Sequence, residues 1–247
     1  MRNVLNTFRV LDEVAARRPI GVGELARVLG MPKSSVQRSL MALREAAWIK
    51  PAPGDVTKWT MTTKALRLGY LATDLNLRDA ALPVMEELRE TTNETIHLMI
   101  PEGSKIILIE RMQTLQPVRI VLPLGIGLPL HASANGKAVL AYCSQGMVEQ
   151  VIAAGLQSFS ETTITDPEVL LAELAVIRQR GYATNEGEWR SDIAAVAAPV
   201  FDDGPEPAAS LSISTPSRRM SPAVRGRFGE LVTHSARALS EALGRQP

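Results

Sequence analysis

Residues 22–47 constrain this chain more than any other stretch, because two short apolar-faced segments are joined there by a turn of only a few residues. The first carries Leu25, Val28 and Leu29 at helical spacing and stops at Gly30. Gly just past a helix end tolerates the left-handed backbone that a sharp stop needs. The second opens after Met31-Pro32 and carries Val36, Leu40 and Leu43 as far as about Ala47. Pro near a helix start, with Ser beside it, is an opening signal. This spacing predicts a helix-turn-helix. Upstream, Val4, Leu5, Phe8, Leu11 and Val14 predict a helix over 4–17 that residues 19–21 break. Downstream the period changes. Residues 48–50 and 58–62 read as strands around Pro51-Ala52-Pro53-Gly54-Asp55, which is turn chemistry. A hairpin directly behind a helix-turn-helix is a wing, so residues 1–62 read as one winged unit.

Helical periodicity returns through Ala65, Leu66, Leu68 and Leu71, and residues 63–77 are expected to form a connector helix. A second unit follows over 78–247. Helices are expected at 78–91, 133–143, 145–154, 166–180 and 221–243, with strands at 94–100, 105–111, 118–124, 182–185, 193–201 and 208–214. Asp166, Pro167 and Gly181 mark the 166–180 helix well, as N-cap, first-turn proline and C-terminal glycine. Strands and helices in mixed order place the unit in the α+β class.

The whole chain of 247 residues is nearly neutral at +1, but this balance hides two unlike parts. Residues 1–72 hold 12 Lys/Arg against 5 Asp/Glu, a surplus of +7, and the remainder holds 15 against 21, a surplus of −6. A basic unit beside an acidic one points to nucleic-acid binding by the first and another task for the second. A hydrophobic content of 45% can fill real cores, so global disorder is excluded. No apolar run approaches the roughly 18 residues of a membrane span, and the start of the chain lacks the apolar stretch of a signal peptide. Cys143 stands alone, which excludes an internal disulfide and fits a reducing, cytoplasmic setting. Three scattered His residues with one Cys give no metal-ligand spacing. No cofactor is expected.

The motifs resemble one family throughout. Glu24-Leu25-Ala26, Leu29-Gly30-Met31-Pro32-Lys33-Ser34-Ser35 and Gln37-Arg38-Ser39-Leu40 are similar to the helix-turn-helix of IclR-type bacterial transcription regulators. Gly127-Leu128-Pro129-Leu130-His131-Ala132-Ser133-Ala134-Asn135-Gly136-Lys137 resembles that family's effector-domain signature almost position for position. Thr162-Thr163-Ile164-Thr165-Asp166, Arg180-Gly181-Tyr182, Ile193-Ala194-Ala195-Val196-Ala197-Ala198-Pro199-Val200 and Leu211-Ser212-Ile213-Ser214 extend it in the right order. Two positions depart from the pattern: Asp192 stands where Gly is usual, and the wing reads Trp59-Thr60-Met61 where an aromatic-x-Leu element is usual. The resemblance implies a winged helix, a connector helix and a GAF- or profilin-like antiparallel sheet flanked by helices. It implies double-stranded operator DNA and a small organic acid as partners, and dimers that can assemble into tetramers.

Candidate DNA contacts are Lys33, Ser34, Ser35, Gln37 and Arg38, the polar residues in the first turns of the second helix. Gln suits adenine edges, Arg suits guanine edges, and Ser can donate to phosphate or base. Lys50 and Lys58 of the wing are expected to serve phosphate, with Thr57 a weaker candidate; Arg44 reads as a partner for the helix dipole.

Carried over position by position, the resemblance puts Ala134 and Asn135 at a helix start facing the effector. It puts Ile120 and Leu128 on an apolar wall, and Asn185, Ala195, Ser212 and Ser214 on central strands. A helix start offers unpaired N–H groups to a carboxylate. Ser212 and Ser214, two apart, share one face of a strand. They also read as small residues packed under a helix.

Other features read as structural. His131 is expected to be a hydrogen-bonding core residue, Cys143 buried and inert, and Glu186 and Glu188 solvent-facing in a turn. Asp202-Asp203-Gly204 reads as a hairpin turn, and Gly125-Ile126-Gly127 is only a fragment of a dinucleotide fingerprint because residue 130 is Leu. Ser133 and Lys137 are four apart, yet no oxyanion donor set accompanies them, so no catalytic residue is assigned. Two other readings stay open: a C-terminal unit that is a small-molecule enzyme, and a DNA binder that senses no ligand.

Overall fold

The computed structural model describes residues 2–72 and 75–244, and contacts divide the chain into two compact units spanning 1–74 and 75–247. The first contains helix α1 (Arg2–Ala16), strand β1 (Ile20–Gly21), helices α2 (Val22–Leu29) and α3 (Lys33–Glu45), strands β2 (Ile49–Ala52) and β3 (Asp55–Met61), and helix α4 (Lys64–Ala72). Val10, Leu11 and Val14 of α1 meet Leu25 of α2 and Val36, Leu40 and Leu43 of α3 in one apolar core. Gly30 takes φ 63° between α2 and α3, so the tight turn is made with the left-handed backbone a glycine adopts freely. The wing runs β1-β3-β2, all antiparallel.

Three expectations need correction here. Residues 19–21 do not merely break a helix: Ile20 pairs with Trp59 and adds a third strand. Ile20 is also fully buried, and that burial is what holds so short a strand in place. The face of α1 is rotated from the one expected, because Val10 points inward while Val4, Leu5 and Phe8 stay more than half exposed. Val28 of α2 is exposed rather than buried. The expected connector helix appears as α4 and the start of α5 (Leu75–Thr92); residues 73 and 74, and the side chain of Leu71, lie outside the described residues.

The second unit continues with β4 (Thr95–Glu102), β5 (Lys105–Met112), β6 (Gly127–Pro129), α6 (Ala134–Leu140), α7 (Gln145–Ala153) and α8 (Pro167–Arg180). It ends with β7 (Ala183–Glu186), β8 (Ile193–Phe201), β9 (Pro207–Pro216) and α9 (Pro222–Leu243). One antiparallel sheet, in the order β6-β5-β4-β9-β8-β7, separates two apolar layers. Ile96, Leu98, Val196, Leu211 and Ile213 face α5 and α9. Met99, Ile106, Leu108, Ala195 and Ala197 face α6, α7 and α8. The alternation of side chains along each strand sends successive residues to opposite layers. The α+β class with an antiparallel sheet flanked by helices is therefore observed.

The expected strand at 118–124 is not a strand; it lies in an irregular segment between β5 and β6. Its alternation is real, since Ile120 and Leu122 are buried while Val118, Val121 and Leu124 are exposed. Side chains rather than a neighbouring strand take its carbonyls: Arg111 donates to Leu122 O, Thr95 to Ile120 O, and Arg219 to Val118 O. Period-2 burial thus arose from a strap packed over the sheet.

Candidate functional site

In the first unit the polar residues of α3 stand on its outward face. Lys33, Ser34, Gln37 and Arg38 are exposed and Ser35 is half-buried, while Val36, Ser39, Leu40 and Leu43 anchor the opposite side. Lys33 and Gln37, like Ser34 and Arg38, lie one turn apart. The first turn holds no acidic residue, so cationic and neutral donors dominate it. Pro32, not Ser34, occupies the N-cap position. Beside α3 lies a cleft lined by Asn3, Asn6, Thr7, Ser35 and Arg38, which adds α1 amides that sequence reasoning did not single out. In the wing Lys50 is exposed and has no acidic partner among the described residues, whereas Lys58 lies 3.5 Å from Asp55. The Thr57 hydroxyl and backbone, with Lys58, hold the Asp55 carboxyl below its ordinary value. Thr57 is thus engaged with Asp55.

In the second unit a small cavity of about 30 Å³ lies between the sheet, the strap and the start of α6. Seven of the eight sequence-derived effector candidates line it: Ile120, Leu128, Ala134, Asn135, Asn185, Ala195 and Ser214. Ser212 does not, although it is fully buried on the same face of β9. His97, Met99, Leu122, Ser133, Trp189 and Ile193 also line the cavity and went unrecognised in the sequence. The usable signal was alternation in β4, which puts His97 and Met99 on the face opposite Ile96 and Leu98.

The polar groups of the cavity are mostly engaged. Asn135 Nδ2 donates to Ser210 Oγ at 2.9 Å, and Asn185 Nδ2 to Ala132 O at 2.7 Å. Asn185 Oδ1 accepts from the backbone N–H groups of Gly187 and Glu188. The Ser133 side chain caps α6 by accepting from Gly136 N and donates to Pro129 O. The helix start expected to offer free N–H groups is therefore partly occupied by its own cap. His97 Nδ1 lies 3.1 Å from Ser214 Oγ. Burial, assisted by the Arg111 charge, lowers the His97 pKa to about 4, so its ring is neutral near pH 7.

Gly136 is required where α6 meets the strand-to-helix junction. A Cβ there would come within 2.4 Å of Leu130 O and 2.5 Å of Leu130 Cα. Next to it, Lys137 is 1% exposed and its Nζ lies 2.6 Å from Glu188 Oε1. This overturns the expectation that Glu188 faces solvent; only Glu186 does, paired with Arg225. Burial pushes the Glu188 carboxyl up, and the Lys137 ammonium pulls it back. The pair ties α6 to the turn that carries Trp189. Trp189 is the one residue shared between the inner cavity and two outer clefts, of about 340 Å³ and 580 Å³, among the clefts around it.

Residues read as structural have matching partners. His131 Nε2 lies 3.0 Å from Gln157 O. Cys143 is half-buried rather than buried, and burial with the nearby Glu206 charge pushes its thiol up to about 11. Asp202 to Gly204 lie in the connection between β8 and β9, where the Asp202 carboxylate accepts from Gly204 N. Among the described residues, no group of His, Cys, Asp and Glu could hold a metal ion, and no helix is long and apolar enough to cross a membrane.

Comparison with known proteins decides the identity of this arrangement. The family model for the bacterial transcriptional regulator IclR C-terminal domain matches residues 70–241, and that for the IclR helix-turn-helix domain matches 4–53. The chain belongs to the IclR family. As an IclR-family protein it is a DNA-binding transcriptional regulator with a C-terminal effector-binding domain. It is 33% identical over 233 residues to the HTH-type transcriptional regulator BhcR of Paracoccus denitrificans, covering 94% of this chain and 83% of that one. It is 30% identical to the transcriptional repressor IclR of Escherichia coli K12, over 99% of this chain and 90% of the relative. The crystal structure of Thermotoga maritima IclR superposes with a TM-score of 0.82 at 26% identity, over 99% of each chain. The IclR fold thus sets a basic helix-turn-helix unit and a small, mostly apolar cavity in a second unit along one chain.

Proposed function

We propose that α3 reads operator DNA in the major groove, that the wing lysines hold phosphate, and that a small organic acid in the C-terminal cavity modulates this binding. The observation that carries the DNA assignment is the outward face of α3, where Lys33, Ser34, Gln37 and Arg38 are exposed beside a buried apolar face. Arg and Gln suit guanine and adenine edges, and the lysines suit phosphate. Lys50 supplies an exposed cation; Lys58 contributes less while Asp55 stands beside it.

The cavity supports the effector assignment. Met99, Ile120, Leu122, Leu128, Ile193 and Ala195 give it apolar walls, and His97 and Ser214 give it a polar floor. Such a lining suits an acid with a compact apolar body. At about 30 Å³ the cavity holds roughly one water, so an acid must expand it. That expansion is the differential interaction through which a ligand can favour one conformation over another. An enzymatic reading has less support, because Ser133 is committed to its cap and Lys137 to Glu188, and the relatives are regulators.

A single winged helix reads few bases, so the chain acts as a dimer on a roughly two-fold operator. Val4, Leu5 and Phe8, exposed along α1, offer an apolar surface for a second copy, and tetramers of such dimers fit the same reading. Action on DNA places the protein in the cytoplasm. The test is a thermal-shift screen of carboxylic acids followed by DNA titration with and without the acid that stabilises most. We expect an acid that raises the melting temperature and changes DNA affinity by about 5- to 150-fold. A stabilising acid with no effect on DNA affinity contradicts the coupling.

A further inference from the structure

Twelve of the thirteen residues lining the inner cavity are buried, and Trp189 alone is half-buried. The same indole lines both outer clefts, and it is the only side chain the inner cavity shares with either of them. One side chain therefore stands between a space of about 30 Å³ and spaces of about 340 Å³ and 580 Å³. A ligand larger than a water needs both a way in and more room. The backbone around Trp189 does not supply them, because it is tied at many points. Asn185 Oδ1 accepts from Gly187 N and Glu188 N, and Gly187 N also donates to Ile193 O. Thr163 Oγ1 and Ser160 Oγ both donate to Glu188 O, and Lys137 Nζ holds the Glu188 carboxylate. The Trp189 side chain is held more loosely. Its ring packs on the apolar layer beneath α6, α7 and α8, and Arg190 lies over it at 5.9 Å. Arg190 is itself exposed and paired with Asp192. Among the described residues no hydrogen bond fixes the indole N–H.

We propose that Trp189 is the gate of the inner cavity: its indole swings outward on a fixed backbone, admits the ligand from the outer cleft that carries Lys105, and gives up the volume the ligand then fills. The inference rests on the reading of this cavity as an effector site. Rotation about the side-chain torsions moves the ring between staggered positions without disturbing the turn. The outer clefts offer the space to receive it. The packing of the ring on the apolar layer keeps the inward position the populated one. Charge selects the side of approach. The 340 Å³ cleft is lined by Lys105 and by no carboxylate, whereas the 580 Å³ cleft is lined by Glu161, Glu186 and Asp192. In a unit with an acidic surplus, an anion is drawn to the first and repelled by the second. The competing door is the strap, whose Ile120 and Leu122 also cover the cavity. It is tied down by Thr95 and Arg111, which donate to the carbonyls of those two residues. Trp189 thus sets how fast the cavity fills and how large a body it accepts.

The experiment uses the full-length protein and needs no effector. Cys143 is the one native thiol, so Cys143→Ala gives a thiol-free background. Ala195→Cys then places a thiol on the cavity wall, and its reaction with methyl methanethiosulfonate reports access from solvent. Trp189→Ala should speed this labelling by about tenfold or more, and Trp189→Phe by less. Arg111→Met, which frees the strap carbonyl of Leu122, should leave the rate within about twofold. With Trp189 in place, the rate should rise with urea far less steeply than global unfolding does. An anionic methanethiosulfonate should react faster than a cationic one, and Lys105→Glu should reverse that order. Fluorine NMR of the protein carrying fluorotryptophan reads the native side chain directly, and the Trp189 resonance should show exchange between two environments. Equal labelling rates with Trp189 and with Ala at this position overturn the proposal. So does acceleration by Arg111→Met alone, labelling that tracks global unfolding, or a Trp189 resonance free of exchange. Equal rates for the two charged reagents overturn the assigned side of approach. The effector reading fails separately, if no carboxylic acid in the thermal-shift screen stabilises the protein.

Discussion

His97 shows how one side chain couples chemistry to stability. Its pKa in the folded protein is about 4 against an ordinary value of 6.5, so the unfolded chain binds more protons between these limits. The stability due to its neutral burial is present above about pH 6.5 and is lost as pH falls toward 4. Urea denaturation of wild type and His97→Asn at several pH values should reveal a difference that shrinks by about 3 kcal/mol across this window. A difference independent of pH contradicts the neutral assignment. Gly136 makes a steric prediction at the same scale. Its missing Cβ leaves room for the Leu130 backbone, so Gly136→Ala should cost about 2 kcal/mol or more in denaturant unfolding, with the loss centred on α6. Sequence reasoning reached Ser214 and Asn135 through a resemblance and strand alternation. His97 was legible only as an isolated histidine, because its cavity is assembled from strands, a strap and a helix distant in the chain. Glu188 was misread for a related reason: a charged residue after a glycine reads as solvent-facing until its buried partner, 51 residues away, is known.

Among the elements, α6 and the turn before β8 are joined by charge. Lys137→Met would leave Glu188 buried without its cation, and a loss of about 3 to 5 kcal/mol is expected. The double variant Lys137→Met/Glu188→Leu should recover much of that loss, since two apolar side chains leave no uncompensated charge. Equal destabilisation in both would show that packing, not charge, holds the junction. Trp189 on this turn lies between the inner cavity and the outer clefts, so acid binding should change tryptophan emission in wild type and leave Trp189→Phe unchanged. The helices and central strands were legible because burial there follows a regular period. The strap at 113–126 was not, because period-2 burial does not say whether carbonyls meet a strand or the side chains of Arg111, Thr95 and Arg219. The two-residue strand β1 was too short for any pattern.

At the scale of the whole molecule, a net charge of +1 conceals a surplus of +7 over residues 1–72 and −6 over the rest. The basic surplus lies on the unit that carries α3 and the wing, where phosphates must be met. The acidic unit gives no general attraction for DNA or for an anionic ligand, so its cavity must recognise an acid by local groups. Each phosphate contact releases counter-ions, which makes affinity steeply salt-dependent. The most direct test is a DNA titration across a salt series, with intergenic DNA upstream of the protein's own gene, comparing wild type with Lys33→Ala/Arg38→Ala. We expect the double variant to bind at least tenfold more weakly at fixed salt, with a log–log salt slope shallower by up to about two. Equal affinity and equal slope for the two proteins would contradict the placement of α3 on DNA.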